Sequence, residues 1–219
     1  MLAGRPGGLS RKAPFRDRAS AGERLAGLIG KYKGSDATVL AIPAGGVPVA
    51  AAIARALNLP MQVAPVSKVL LPWTTESGYG AVAFDGTVWL DQAAVERYGL
   101  KKEQVDEAIA EARAKVERRR ARFCQAPLDF KRKSVILVDD GIAAGSTMRT
   151  AIAALRKLGA ARVVVAVPTG HSRSLEALRT LADEIVCANV RGGPSFAVAD
   201  AYEEWHDLSD DEVEAMLRS

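Results

Sequence analysis

Cysteine is scarce in this chain. Only Cys124 and Cys187 occur among its 219 residues. They lack metal-ligand spacing and cannot form a disulfide framework, which argues against zinc-ribbon and disulfide-stapled secreted classes. They read as reduced thiols in a cytoplasmic protein. Long hydrophobic runs are missing too, because Gly, Pro or charge interrupts every apolar stretch, so no membrane span is expected. A strong charge of one sign is also absent. The net charge is +4 and the pI about 9.2, which suits an anionic small-molecule substrate but is too weak to argue for nucleic acid. Neither a Walker A Gly-Lys-Ser/Thr nor a Gly-x-Gly-x-x-Gly occurs, so ATPase and dinucleotide-binding readings lose their main warrant.

What is present is a regular alternation of strand and helix patterns. Thr38–Ile42 reads as a strand, Val47–Leu57 as an Ala-rich helix and Met61–Val66 as the next strand. Ala81–Phe84 and Thr87–Leu90 flank Asp85-Gly86, a hairpin signal. Lys101–Arg122 is a long helix with Val105, Ile109, Ala112 and Val116 on one stripe. Its basic end, residues 118–122, and the run 131–133 read as a solvated helix terminus and its surroundings, with an RNA-binding patch as the sharper alternative. Val135–Val138 is a buried strand and Thr147–Leu158 a helix stopped by Gly159. Strand Arg162–Val167, helix Ser172–Ala182, strand Glu184–Ala188 and helix Asp210–Leu217 complete the chain. Such alternation implies an α/β fold with a mostly parallel sheet flanked by helices. With 219 residues and no internal repeat or long linker, residues 15–219 are expected to form one domain, after a disordered Gly-, Arg- and Pro-rich lead-in over residues 1–14.

The informative segment runs from Val135 to Thr147. Four apolar residues form a strand buried on both faces. Asp139 and Asp140 follow at its carboxyl end, where α/β sheets place ligands. The loop Gly141-Ile142-Ala143-Ala144-Gly145 then leads into Ser146 and Thr147 at a helix start. Small residues let backbone N–H groups close around an oxyanion, and the helix terminus adds favourable potential. The carboxylates become intelligible if the ligand also carries vicinal hydroxyls. A phosphorylated ribose satisfies both requirements, with the phosphate on residues 143–147.

This strand, acid pair and loop resemble the phosphoribosyl pyrophosphate (PRPP) motif of type I phosphoribosyltransferases, and other segments fall where that family would put them. Ile42-Pro43-Ala44-Gly45-Gly46-Val47 is similar to the family's pyrophosphate loop. Ser67-Lys68 through Leu71-Pro72 is similar to the start of the flexible loop in the adenine enzymes, with Glu76–Gly80 and the hairpin completing it. Phe196-Ala197-Val198 resembles the hood segment whose Phe stacks on a purine. Phe15-Arg16-Asp17-Arg18, with Phe196, Tyr202 and Trp205, is similar to a little-characterised group of predicted members with no named acceptor. The hood would then comprise roughly residues 15–30 and 190–219.

The resemblance implies Mg2+-dependent transfer of phosphoribosyl from PRPP to a nucleobase or related nitrogen acceptor, in nucleotide metabolism such as purine salvage, by a homodimer. Asp139, Asp140 and Lys68 would be the catalytic residues, the two carboxylates lying near Mg2+ without being its main ligands. Ala143, Ala144, Gly145, Ser146 and Thr147 would hold the 5′-phosphate. Ala44, Gly45, Gly46 and Lys68 would hold pyrophosphate, and Phe196 and Ala197 the base. Trp73 and Tyr79 are candidates to seal the loop, and His171 is either an acceptor contact or a satisfied loop histidine.

Three departures favour the alternative of a non-catalytic PRPP or nucleotide sensor. Ala44, Ser67 and Ala144 stand where many relatives carry Arg or Lys, Arg, and Thr respectively. Each change removes a donor to phosphate, and a charged hydrogen bond contributes roughly 1.5–3 kcal/mol. Ala143 stands where the hypoxanthine-guanine enzymes carry an Asp, which counts against a 6-oxopurine acceptor.

Overall fold

A computed structural model describes residues 13–75, 77–124, 127–193 and 196–218. The expected lead-in therefore lies outside the described residues except for its last two positions, as does Glu76 of the loop. Five strands form a parallel sheet: β1 (Thr38–Ala41), β2 (Met61–Val63), β6 (Ser134–Val138), β7 (Arg162–His171) and β8 (Glu184–Arg191), in the order β2-β1-β6-β7-β8. Strands β3 (Val66–Leu70), β4 (Gly78–Ala83) and β5 (Val88–Leu90) form a separate antiparallel sheet.

Burial on both faces explains why the parallel strands read as continuous apolar runs rather than as alternations. Leu40, Val135, Leu137, Val163 and Val165 face one layer with Met148, Ile152 and Leu155 of α5 (Ser146–Lys157), with Val66 and Ala81 of the antiparallel sheet and with Phe84 of its hairpin loop. Val39, Ala41, Ile136, Val138 and Val164 face the other, against α1 (Arg18–Leu28), α2 (Gly46–Leu57) and Val213 of α7 (Asp210–Arg218). Two short helices, α3 (Gln92–Arg97) and α6 (Ser172–Leu178), and the long α4 (Lys102–Phe123) complete the elements. Ala112 and Val116 of α4 are buried against Val69, Tyr79 and Val82, with Val105 and Ile109 packed beside them, so the expected stripe is the contact face.

Three boundaries differ from expectation for physical reasons. The segment Met61–Val66 is not one strand, because the chain leaves β2 at Ala64-Pro65 and changes sheets. The hairpin loop has three residues rather than two. Ala83 N–H donates to Thr87 O (2.8 Å) and Gly86 N–H to Ala83 O (2.9 Å), with Gly86 at φ +85°. That is the geometry of a turn closed by a left-handed glycine. Strand β7 continues through Pro168 to His171 and β8 to Arg191, extending both carboxyl ends beyond those of β1 and β6. Helix α1 had no periodic signal because its contact face is made of small residues. A Cβ on Gly22 would lie 2.5 Å from Val49 O and 2.7 Å from Ala52 Cβ, so α1 and α2 touch almost backbone to backbone. Asp17 starts α1 by accepting from Ser20 N–H while the Ser20 hydroxyl accepts from Asp17 N–H, a reciprocal cap.

Candidate functional site

From β1 the chain turns to β2 on one side, and from β6 to β7 on the other, so the strand order reverses between two paired neighbours. Crevices outside such a reversal are where α/β sheets take ligands. The loop after β1 and the loop after β6 therefore lie side by side, joined by Ile42 N–H donating to Val138 O at 2.8 Å. Their approach requires glycine. A Cβ on Gly45 would sit 1.8 Å from Asp140 Oδ2, and one on Gly46 would sit 2.7 Å from Val138 O. The Pro43–Ala44 peptide in this loop is cis. Ala44, Gly45, Gly46, Asp139 and Asp140 are thus brought together.

The loop after β6 continues the same surface. Ile142 bridges to Gly170, its N–H donating to Thr169 O at 3.0 Å and its carbonyl accepting from His171 N–H at 2.8 Å. Ala143 and Ala144 are exposed, with the Ser174 hydroxyl bonded to the Ala143 carbonyl. Gly145 takes φ +84° and begins α5 without a side-chain cap. The first-turn N–H groups of a helix have no intrahelical acceptor, so an uncapped start at Ser146 and Thr147 offers donors and positive potential to an anion.

Asp140 is held by a residue that the motif alone did not single out. Arg18 Nε donates to Asp140 Oδ2 at 2.9 Å and Arg18 Nη1 to His206 O at 3.0 Å. The guanidinium lies 3.8 Å from the Trp205 ring centroid, and Tyr202 Oη donates to Asp140 O at 2.6 Å. Phe15 packs on Tyr202 and bridges to it, so residues 15–18 and 201–206 form one aromatic and cationic cluster against the acid pair. The signal was available in Phe15, Arg18, Tyr202 and Trp205, but nothing linear connects them to Asp140.

Burial is the largest influence on both carboxyls. It pushes Asp139 well above the ordinary carboxylate range, with the Asp140 charge adding to the effect. Asp140 is raised as well, against the pull of Arg18. Burial and then the Asp140 charge raise the Tyr202 phenol, which keeps it a donor.

Lys68, on β3, is exposed, yet its charge acts on Asp139 and on Lys115 of α4. Desolvation, then the charge of Arg119, holds the Lys115 ammonium below its usual range, with smaller contributions from Arg118 and Lys68. Arg119 itself reaches the loop after β1, donating from Nη1 to Pro43 O at 3.2 Å and from Nε to Asp210 at 2.9 Å. Arg122 pairs with Asp211 and Glu214. The basic end of α4 is thus partly a clamp onto α7 and partly a cationic flank of the crevice, a placement invisible to helical periodicity. Ser67 is buried, its hydroxyl directed at its neighbour's carbonyl.

Three further expectations separate here. Tyr79 is 3% exposed and belongs to the core under α4, so it does not seal the loop; Trp73 is 61% exposed and packs edge-on against Tyr98. His171 is satisfied on both nitrogens, Nε2 facing Gly193 O at 3.1 Å and Nδ1 accepting from Arg173 N–H at 3.3 Å. Phe196 lies edge-on to His171, and Val198 packs where a Cβ on Gly141 would be, 2.6 Å from Val198 Cγ1. The Phe196-Ala197-Val198 segment therefore borders the acid pair. Among the described residues no group of three or more His, Cys, Asp or Glu could hold a metal, and no helix is long and apolar enough to cross a membrane.

Residues 18–200 match the family model described as "Phosphoribosyl transferase domain". The chain is 35% identical over 205 residues, 93% of its length, to the Mycobacterium tuberculosis protein named "Putative phosphoribosyl transferase Rv0571c". It covers 46% of that relative, so the chain spans about half the length of the curated relatives it matches. Among solved structures, the Thermus thermophilus protein TT1426 is 34% identical with a TM-score of 0.72, covering 93% of this chain and 97% of that one. The Aquifex aeolicus protein AQ2163, 11% identical with a TM-score of 0.51 over 80% of this chain and 75% of that one, shares the fold. With a family match running from Arg18 to Asp200 and enclosing both loops of the crevice, the chain belongs to the phosphoribosyl transferase domain family.

Proposed function

We propose that this chain transfers phosphoribosyl from PRPP to a nitrogen acceptor of the nucleobase kind, with Mg2+, and releases pyrophosphate. The observation that carries the reading is the juxtaposition of the Gly45-Gly46 loop with Asp139-Asp140 and the uncapped start of α5. A ribose 5-phosphate fits that surface chemically. Residues 143–147 offer donors to the phosphate, and Asp139 and Asp140 offer acceptors to ribose hydroxyls. The acceptor nitrogen forms its bond to C1 as the C1–O bond breaks. Pyrophosphate leaves with the electron pair, and a ring N–H proton passes to solvent or to the departing pyrophosphate. The carbon between them is oxocarbenium-like, so positioning and charge stabilisation do most of the work.

The donor set fits Mg2+ held largely through substrate. Two adjacent carboxylates, with no third such ligand grouped beside them among the described residues, suit an ion that keeps water and phosphate oxygens around it. Bound there, Mg2+ would neutralise pyrophosphate charge. Arg119 reaches the loop after β1, with Lys115 and Lys68 in its electrostatic neighbourhood, and these cations would offset the one missing at Ala44. Phe196 and Ala197, which precede the Val198 that packs on Gly141, are the residues we assign to the base. Residues 15–30 and 190–219 act as its hood, within a single domain over 15–219. A homodimer and a cytoplasmic setting complete the reading, the latter supported by two free cysteines whose thiols burial holds protonated.

The alternative, a sensor that binds PRPP or nucleotide without turnover, draws on the departures at Ala44, Ser67 and Ala144 and on one contact. Arg18 occupies an oxygen of Asp140 that a ribose hydroxyl would otherwise use. Calorimetric titration of PRPP with Mg2+ into wild type and a D139N/D140N variant tests both. Binding that the double variant loses, followed by pyrophosphate release with some acceptor, supports the transferase. Binding without turnover for any acceptor favours the sensor. No PRPP binding by the wild type overturns the transferase, and the sensor falls too if a nucleoside monophosphate also fails to bind.

A further inference from the structure

The carboxyl ends of β7 and β8 hold a second cluster, of which the reading above uses only Phe196. His171 and Arg191 are register partners there. The Phe196 ring lies 5.8 Å from His171, centroid to centroid, and the Arg191 guanidinium lies 5.5 Å from the Phe196 centroid. Both nitrogens of His171 are engaged. Arg191 differs. Its Nη1 is buried with no hydrogen-bond partner among the described residues, and its Nη2 stands 3.9 Å from Asp200 Oδ2, too far for a hydrogen bond. A guanidinium N–H taken from water and given no acceptor is an unsatisfied state that an anion would relieve.

The cluster is close to the chemistry. Val198, two residues past Phe196, packs against Gly141 beside the acid pair. Strand β8 is two strand spacings from β6, about 10 Å, a span that a ribose C1 and an attached ring would bridge. A planar fork presented beside an aromatic ring matches a carboxylate on a flat ligand. Asp200, close behind, disfavours a doubly charged phosphate.

We propose that the acceptor is a planar nitrogen-containing ring bearing a carboxylate, which Arg191 binds while Phe196 lies against the ring. This rests on the phosphoribosyl-transfer reading above. The test titrates three probes into the protein saturated with Mg2+ and PRPP: pyridine-3-carboxylate, pyridine-2-carboxylate and 2,4-dioxopyrimidine-6-carboxylate. Each is paired with its uncharged carboxamide, and wild type is compared with R191Q and R191K. At least one carboxylate should bind tenfold or more tighter than its carboxamide. R191Q should erase that preference and R191K retain part of it. Equal affinity for acid and amide, no binding of any probe, or a preference that survives R191Q would overturn the proposal. PRPP is titrated alone first. Its failure to bind would sink the transferase reading, whereas the same panel without PRPP still decides whether Arg191 selects carboxylates.

Discussion

Arg18 shows how much a single side chain can carry in this protein. It is 7% exposed, paired with Asp140, bonded to a backbone carbonyl and stacked on an indole. Removing its charge leaves Asp140 uncompensated in a site where burial already raises its pKa. Breaking one side of a buried pair is far more harmful than removing both partners, so R18M should destabilise by about 3 kcal/mol. In the R18M/D140N double variant part of that loss should return. Urea unfolding of the four proteins closes the cycle, and additive effects would show that the pair is not the cause. The Arg18 contacts are long-range in sequence, spanning 122 residues to Asp140 and 188 to His206. A reading along the chain saw the motif but not its target.

Among the elements, α4 does more than cover the antiparallel sheet. Its apolar stripe was legible because Ala112 and Val116 repeat at helical spacing and bury against Val69 and Tyr79. Its polar face was ambiguous, since a run of arginines reads equally as a solvated end. The fold turns Arg119 and Arg122 onto the acidic face of α7 and leaves Lys115 among like charges near the loop after β1. Pyrophosphate oxygens would relieve that crowding. K115M should therefore weaken PRPP affinity about tenfold, about 1.4 kcal/mol, with little change in urea midpoint. Unchanged PRPP affinity would exclude Lys115 from the proposed phosphate site.

For the whole molecule, two sets of carboxyls respond oppositely to pH. Asp17, Asp183 and Glu184 are lowered by bonds to backbone, hydroxyl or basic partners, and Glu212, accepting from Ser209, is pushed down to about 2. Such groups stabilise the fold above their unfolded pKa, and that stabilisation fades as pH falls through the folded value. Asp139 has the reverse sign. Its folded pKa is raised, so the folded form binds its proton more tightly, and its charge costs stability as pH rises towards neutrality. D139N should thus melt higher than wild type at pH 7.5. The difference should shrink as pH falls and vanish below the usual Asp range. Parallel melting curves of the two proteins from pH 7.5 to pH 4 would refute it. The buried acid pair thus carries a cost in stability, which the proposed ligand chemistry would account for.

The linear order of residues determined the parallel sheet, because buried β6 and β7 must be apolar on both faces, and it marked the acid pair and the small-residue loop proposed to hold phosphate, because those groups are contiguous. Gly45, Gly46 and Gly141 were visible as glycines, but their reason lies in neighbours from other elements: Asp140, Val138 and Val198. The tertiary structure alone decided that Arg18 meets Asp140, that Arg119 touches Pro43, that Tyr79 is core, and that Arg191 lies beside Phe196. Local pattern records which groups a segment must bury or expose. Which cation meets which carboxylate depends on strand order and on the contacts that helices make across the sheet, and no periodicity encodes those.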